Sequence, residues 1–287
     1  MAAIYVAAGG GGDALAAAIV HRATGGELGA TILTYAWDRL ALDPLPGPRS
    51  PKDFDGLRPF AGALAFTGDT TPRPPSGSTL PRLAGELPDT LVLLDPTGGA
   101  VGMRQQVARL VDELGADTVT LVDVGGDAIA RGDEPELRSP LADALALAAC
   151  TGLPVPVTVL VAGPGLDGEL SEHQVVDALD RSPAFRLVPE DIEPFRHVLD
   201  WHPSEATALL AAAAIGRRGR VEVRDAGLAV DLTDISPNVY ALDLDEAGVG
   251  AQRRAQPAAP AVVQPRRAVG KAVLAPHRLA HPERRHA

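Results

Sequence analysis

The stretch TVTLVDVGGD, residues 118–127, decides the fold class. Residues 118–122 are a short apolar and β-branched run that does not alternate with polar residues. Both of its faces are therefore expected to be buried, as in an inner strand of a parallel sheet. Asp123 ends the run, Gly125 and Gly126 permit a sharp turn, and Asp127 follows. The same arrangement recurs to either side. Residues 4–8 lead into GGGGD at 9–13, residues 91–94 into DPTGG at 95–99, and residues 155–162 into AGPGLDGE at 162–169. Further strands are expected at 30–36 and 61–67, with a Pro-rich irregular stretch over 40–58.

Helical patterns separate these runs, at 14–24, 101–114 and 139–151, the last with Pro140 in its first turn. Strands alternating with helices imply βαβ crossovers. The expected fold is α/β: an open, mostly parallel, Rossmann-like sheet with helices on both faces. After Gly168 the pattern changes. Helices are expected at 171–181 and 192–215. A hairpin at 221–223 and 228–232, turning through Asp225-Ala226-Gly227, could extend one sheet edge, and 239–242 could add another short piece. Residues 1–249 read as one α/β domain. Residues 250–287, rich in Ala, Pro and Arg without periodicity, read as a disordered basic tail.

Composition narrows the function classes. The chain has 287 residues, 46% of them hydrophobic, enough for a sizeable core. From Gly250 onward eight Lys and Arg residues face one acid, Glu283, so the tail carries +7 of a net charge of −11 and the body carries −18. An acidic body does not favour nucleic acid, which needs Lys and Arg against phosphate. It is compatible with a cation site or with a solubilising surface. The single cysteine, Cys150, sits in an apolar run and reads as a buried, inert thiol in a reducing cytoplasm. The N-terminus lacks the pattern of a signal peptide, and no apolar run approaches the roughly 20 residues of a membrane helix. The expected partner is a small-molecule ligand, with no membrane; a homo-oligomer is compatible.

Ligands of open parallel sheets bind beyond the carboxyl ends of the strands, so the four Gly/Asp loops are expected to converge on one edge. Gly9, Gly10, Gly11, Gly12 and Asp13 are a candidate substrate- or phosphate-binding loop whose amides could cradle an anion at a helix start, or the loop could simply be a tight turn with Asp13 as a cap. GGGGD matches neither a P-loop nor a full GxGxxG, and Asp38 is the nearest acid to a ribose-binding position. Asp123 and Asp127, four residues apart across Gly125-Gly126, could hold Mg²⁺ or Mn²⁺, or hydrogen-bond a substrate. Their bland alternative is turn structure. Arg131 and Asp133 extend the candidate catalytic set. Gly125, Gly126, Arg138, Ser139 and Asp143 are candidate substrate-binding residues, although Ser139 and Asp143 also suit a helix start. The histidines form no ligand cluster, and His173 and His202 are lesser candidates for proton transfer.

AAGGGGD at 7–13, VDVGGDAIARGDEPELRSPLADALALAA at 122–149 and LVAGPGLDGELS at 160–171 resemble the "domain of unknown function 1152" family of archaea and actinobacteria. The similarity spans roughly residues 1–245. It implies that Asp123, Gly125, Gly126, Asp127, Arg131, Gly132, Asp133, Ser139 and Asp143 match the family's motif. It brings no established activity, and implies by context an accessory role in specialised metabolism. VDVGGDAIARG is also similar, over a shorter stretch, to the Gly-Gly-acid turn of D-glutamate cyclases, which keeps a metal-dependent lyase or cyclase in view. The residues leave open an enzyme acting on a small polar or nucleotide-like metabolite, a non-catalytic metabolite-binding protein, and a scaffold with its tail as the contact segment.

Overall fold

The computed structural model describes residues 2–26, 29–137, 140–223 and 228–244. Its strands are β1 (Ile4–Ala7), β2 (Thr31–Thr34), β3 (Phe54–Asp55), β4 (Arg58–Phe60), β5 (Ala63–Ala65), β6 (Thr71–Pro72), β7 (Thr90–Leu93), β8 (Val119–Val124), β9 (Val157–Ala162), β10 (Phe185–Arg186), β11 (Gly219–Val223), β12 (Leu228–Leu232) and β13 (Asn238–Asp243). The α-helices are α1 (Gly11–Ala23), α2 (Leu80–Glu86), α3 (Gly99–Leu114), α4 (Pro140–Cys150), α5 (Glu172–Leu179), α6 (Pro189–Ile192), α7 (Arg196–Leu199) and α8 (Glu205–Ala214).

Nine strands form one sheet in the order β10-β13-β9-β8-β1-β2-β7-β5-β4. The central five, β7-β2-β1-β8-β9, are all parallel. Taken in chain order this is a 3-2-1-4-5 arrangement, the Rossmann-like order in which the chain reverses its direction of travel between β1 and β8. The expected fold class is therefore observed. Every residue of β1 and β2 is buried, and alternate residues feed two cores. Tyr5, Ala7 and Ile32 pack with α1, α2 and α8, whereas Ile4, Val6 and Leu33 pack with α3 and α4. Alanines 14, 16, 17 and 18 are buried along α1, and their small side chains let that helix lie close to the sheet.

The antiparallel parts differ from expectation. The hairpin β11-β12 forms its own two-stranded sheet and does not extend the main one; its turn, 225–227, lies outside the described residues. The short piece near 239–242 instead becomes β13, an inner strand paired antiparallel with β9 on one side and β10 on the other. At the opposite end β5 pairs antiparallel with β7, and β4 with β5. The helix expected over 192–215 is broken into α7 and α8, with Pro203 between them. Proline removes a backbone donor and turns the preceding residue away from helical geometry. Helix α2 was not expected, because its seven residues LPRLAGE hold both Pro and Gly and show little periodicity. Among the described residues no helix is long and apolar enough to cross a membrane. The tail expected from residue 250 lies outside the described residues, as do Arg138 and Ser139.

Candidate functional site

The site is built on β1 and β8, on either side of the point where the strand order reverses. After β1 the chain turns at Gly10, whose φ of 128° and ψ of −152° suit glycine alone, and enters α1. The Gly9 N–H donates to the Asp13 carboxylate at 2.7 Å, holding that side chain back over the turn. Asp123 lies within β8, in register with Val161, and is 1% exposed. Beyond it Gly125 has φ 118°, and a Cβ there would overlap the Asp167 carboxylate. The Gly165 N–H donates to the Gly125 carbonyl at 2.7 Å, which ties the loops after β8 and β9 together. Asp127 opens a 3-10 turn and is buried. Asp143 comes from the first turn of α4, which the buried Tyr35 hydroxyl secures by donating to the Ala142 carbonyl at 3.1 Å.

These elements enclose a cavity of about 400 Å³, within the range of small-ligand sites. Carboxylate oxygens of Asp13, Asp123 and Asp143 lie within 4.8 Å of one another. Asp123 Oδ2 and Asp143 Oδ1 are fully buried and accept no hydrogen bond among the described residues. Asp127 lines the same cavity as Asp143, and Asp167 accepts from the Glu169 N–H at 3.1 Å. Among the described residues lining the cavity the sole Lys or Arg is Arg39, which is paired with Glu205 at 3.1 Å. Burial, followed by the negative charge of Asp127, pushes the Asp123 and Asp143 carboxyls well above the carboxylate range, and Asp167 likewise. Asp13 is pushed up to about 8 by burial, against the opposing Gly9 hydrogen bond.

Three of the four Gly/Asp loops meet at this cavity. The fourth, DPTGG at 95–99, follows β7 on the same sheet edge but lines a separate hollow with Gln106 and Arg109, because β2 stands between β7 and β1. Gly9, Gly11, Gly12, Asp13, Asp123, Asp127 and Asp143 all line the shared cavity. Gly10, Gly125 and Gly126 shape its turns. Arg131 and Asp133 do not line it. They are exposed and paired with each other at 3.5 Å, while Glu134 accepts from the Arg131 and Gly132 amides. Asp38 reaches the cavity, but both of its oxygens are taken by the Thr79 amide and hydroxyl. His173 is exposed and pairs with Asp177. Cys150 is buried, with its thiol pushed up to about 12 by burial, as an inert core cysteine should be.

Sequence reasoning placed Asp167 only within a loop and His202 inside the helix expected over 192–215, as a lesser candidate for proton transfer. His202 lines the cavity at 8% exposure. The signal for it was Pro203-Ser204: a helix breaker followed by a residue suited to cap α8. Ser204 does so, accepting from the Thr207 N–H.

The family model described as "Protein of unknown function (DUF1152)" matches residues 4–261. The chain belongs to this family. The match covers the whole central sheet of this DUF1152 chain and every residue that encloses the cavity. It also runs past residue 245, where the motif resemblance alone stops, into the segment read as tail. No curated protein and no solved structure matches it.

Proposed function

We propose that the cavity binds a hard divalent cation, Mg²⁺ or Mn²⁺, through Asp13, Asp123 and Asp143, and that the protein is an enzyme using this cation on a small polar metabolite. One observation carries the reading: carboxylates from three separate elements converge within 4.8 Å, with two buried oxygens that no described residue satisfies. A buried carboxylate without a partner is costly, and coordination of a hard cation by oxygen removes that cost. The position supports the reading as well, since the strand-order reversal of an open parallel sheet is where such folds bind ligands. Asp127, buried beside Asp143, is the candidate for proton transfer. Arg131 and Asp133 have no part in this proposal, because they lie on the surface away from the cavity.

Thermal melting tests the cation. Free Mg²⁺ or Mn²⁺ at a hundred times its Kd is expected to stabilise the protein by about 2.7 kcal/mol. Asp123→Asn is expected to abolish that shift without unfolding the chain. The absence of a shift with Mg²⁺, Mn²⁺ and Ca²⁺, or a shift that survives Asp123→Asn, would refute the reading. Catalysis is tested by Asp127→Asn, expected to lower turnover by about 10²-fold or more with the cation-induced shift retained.

A further inference from the structure

His202 carries a feature that a carboxylate–cation site does not require. The Ser204 N–H donates to its Nδ1 at 3.3 Å. That hydrogen bond assigns the lone pair to Nδ1 and therefore the proton to Nε2. Burial also holds the imidazole neutral, lowering it to about 4. Nε2 is buried and has no hydrogen-bond partner among the described residues. His202, a residue lining the cavity, thus carries a buried N–H donor with no acceptor among the described residues.

The second donor group is the start of α1. Its N-cap is Gly10, which supplies no side-chain cap. The amides of Gly11 and Gly12 belong to the first turn, where a helix has no acceptors of its own. Both residues line the same cavity. The His202 loop is fastened to this turn, since the Thr207 hydroxyl donates to the Gly12 carbonyl at 2.9 Å and stands 2.9 Å from the Ser204 hydroxyl. One cavity is therefore lined both by carboxylates and by N–H donors at a helix start.

We propose that the ligand is a phosphate-bearing small molecule, its phosphate oxygens received by His202 Nε2–H and the amides of Gly11 and Gly12 and bridged by the cation to the aspartates. This inference rests on the cation reading above. Successive amides at a helix start suit a phosphate. The aspartates and the phosphate oxygens are all acceptors that only the cation joins, so phosphate binding is metal-dependent.

The test is calorimetric titration with inorganic pyrophosphate, with and without saturating Mg²⁺, beside direct titration of Mn²⁺. The wild-type protein is expected to bind Mn²⁺ alone, and pyrophosphate only when Mg²⁺ is present. His202→Leu is expected to weaken pyrophosphate binding by tenfold or more and to leave Mn²⁺ binding unchanged. Gly11→Pro removes one amide donor at a helix position where proline is tolerated, and should have the same effect. Melting curves establish that each variant is folded. Mn²⁺ binding without any pyrophosphate binding overturns this proposal and spares the cation site. Binding of neither overturns both. Pyrophosphate binding that is unchanged in folded His202→Leu overturns the role of His202, and malonate binding as tightly as pyrophosphate overturns the assignment to phosphate.

Discussion

Asp13 shows how a residue with an ordinary sequence context becomes exceptional through its surroundings. Its carboxyl has a folded-state value of about 8 against 3.8 for an unperturbed aspartate. A raised value means that the folded protein holds the proton more tightly than the unfolded chain does. The associated stability is complete below about pH 3.8 and is lost progressively as the pH rises through about 8. Asp123, Asp143 and Asp167 act in the same direction. The metal-free protein is therefore expected to melt at falling temperature between about pH 5 and about pH 8, with a shallower fall in Asp123→Asn. A melting temperature that rises over this range contradicts the burial of these carboxyls. The sequence identified the residues Asp123, Asp127 and Asp143, since each lies in a recognisable Gly/Asp loop or helix start. It could not show that Asp13 and Asp143 approach Asp123, because residues 13, 123 and 143 meet only once the sheet is assembled.

At the scale of elements, the inner parallel strands were legible because unbroken apolar runs of four to six residues have few other homes in a soluble fold. The edges were not. Strands β4, β5 and β10 are two or three residues long and take their identity from their neighbours. The break before α8 was written in Pro203, yet the alanine-rich run after it dominated the periodicity. One contact between elements can be tested alone. Tyr35→Phe removes the buried hydroxyl that secures the first turn of α4 and leaves the Ala142 carbonyl without that donor. The expected cost is about 1–3 kcal/mol in chemical denaturation, together with weaker Mn²⁺ binding as Asp143 loosens. Gly125→Ala is expected to cost more, because it meets both an unfavourable φ and the Asp167 carboxylate.

For the molecule as a whole, the main sheet is completed from the far end of the described chain. Strand β13 pairs along β9 from Val239 opposite Ala162 to Asp243 opposite Thr158. A chain ended after Leu232 lacks this strand and is expected to be insoluble or molten, whereas one ended after residue 261, the limit of the family match, is expected to melt with the full chain; circular dichroism on both checks this. The same pairing has a consequence for biosynthesis. Strands are made from the N-terminus, so β9 leaves the ribosome roughly 80 residues before its partner does, a spacing set by the Val239–Ala162 register. During that interval it offers a bare hydrogen-bonding edge to other nascent chains. Long-range pairing of this kind slows folding, so overproduction at lower temperature or with chaperones present should raise the soluble yield.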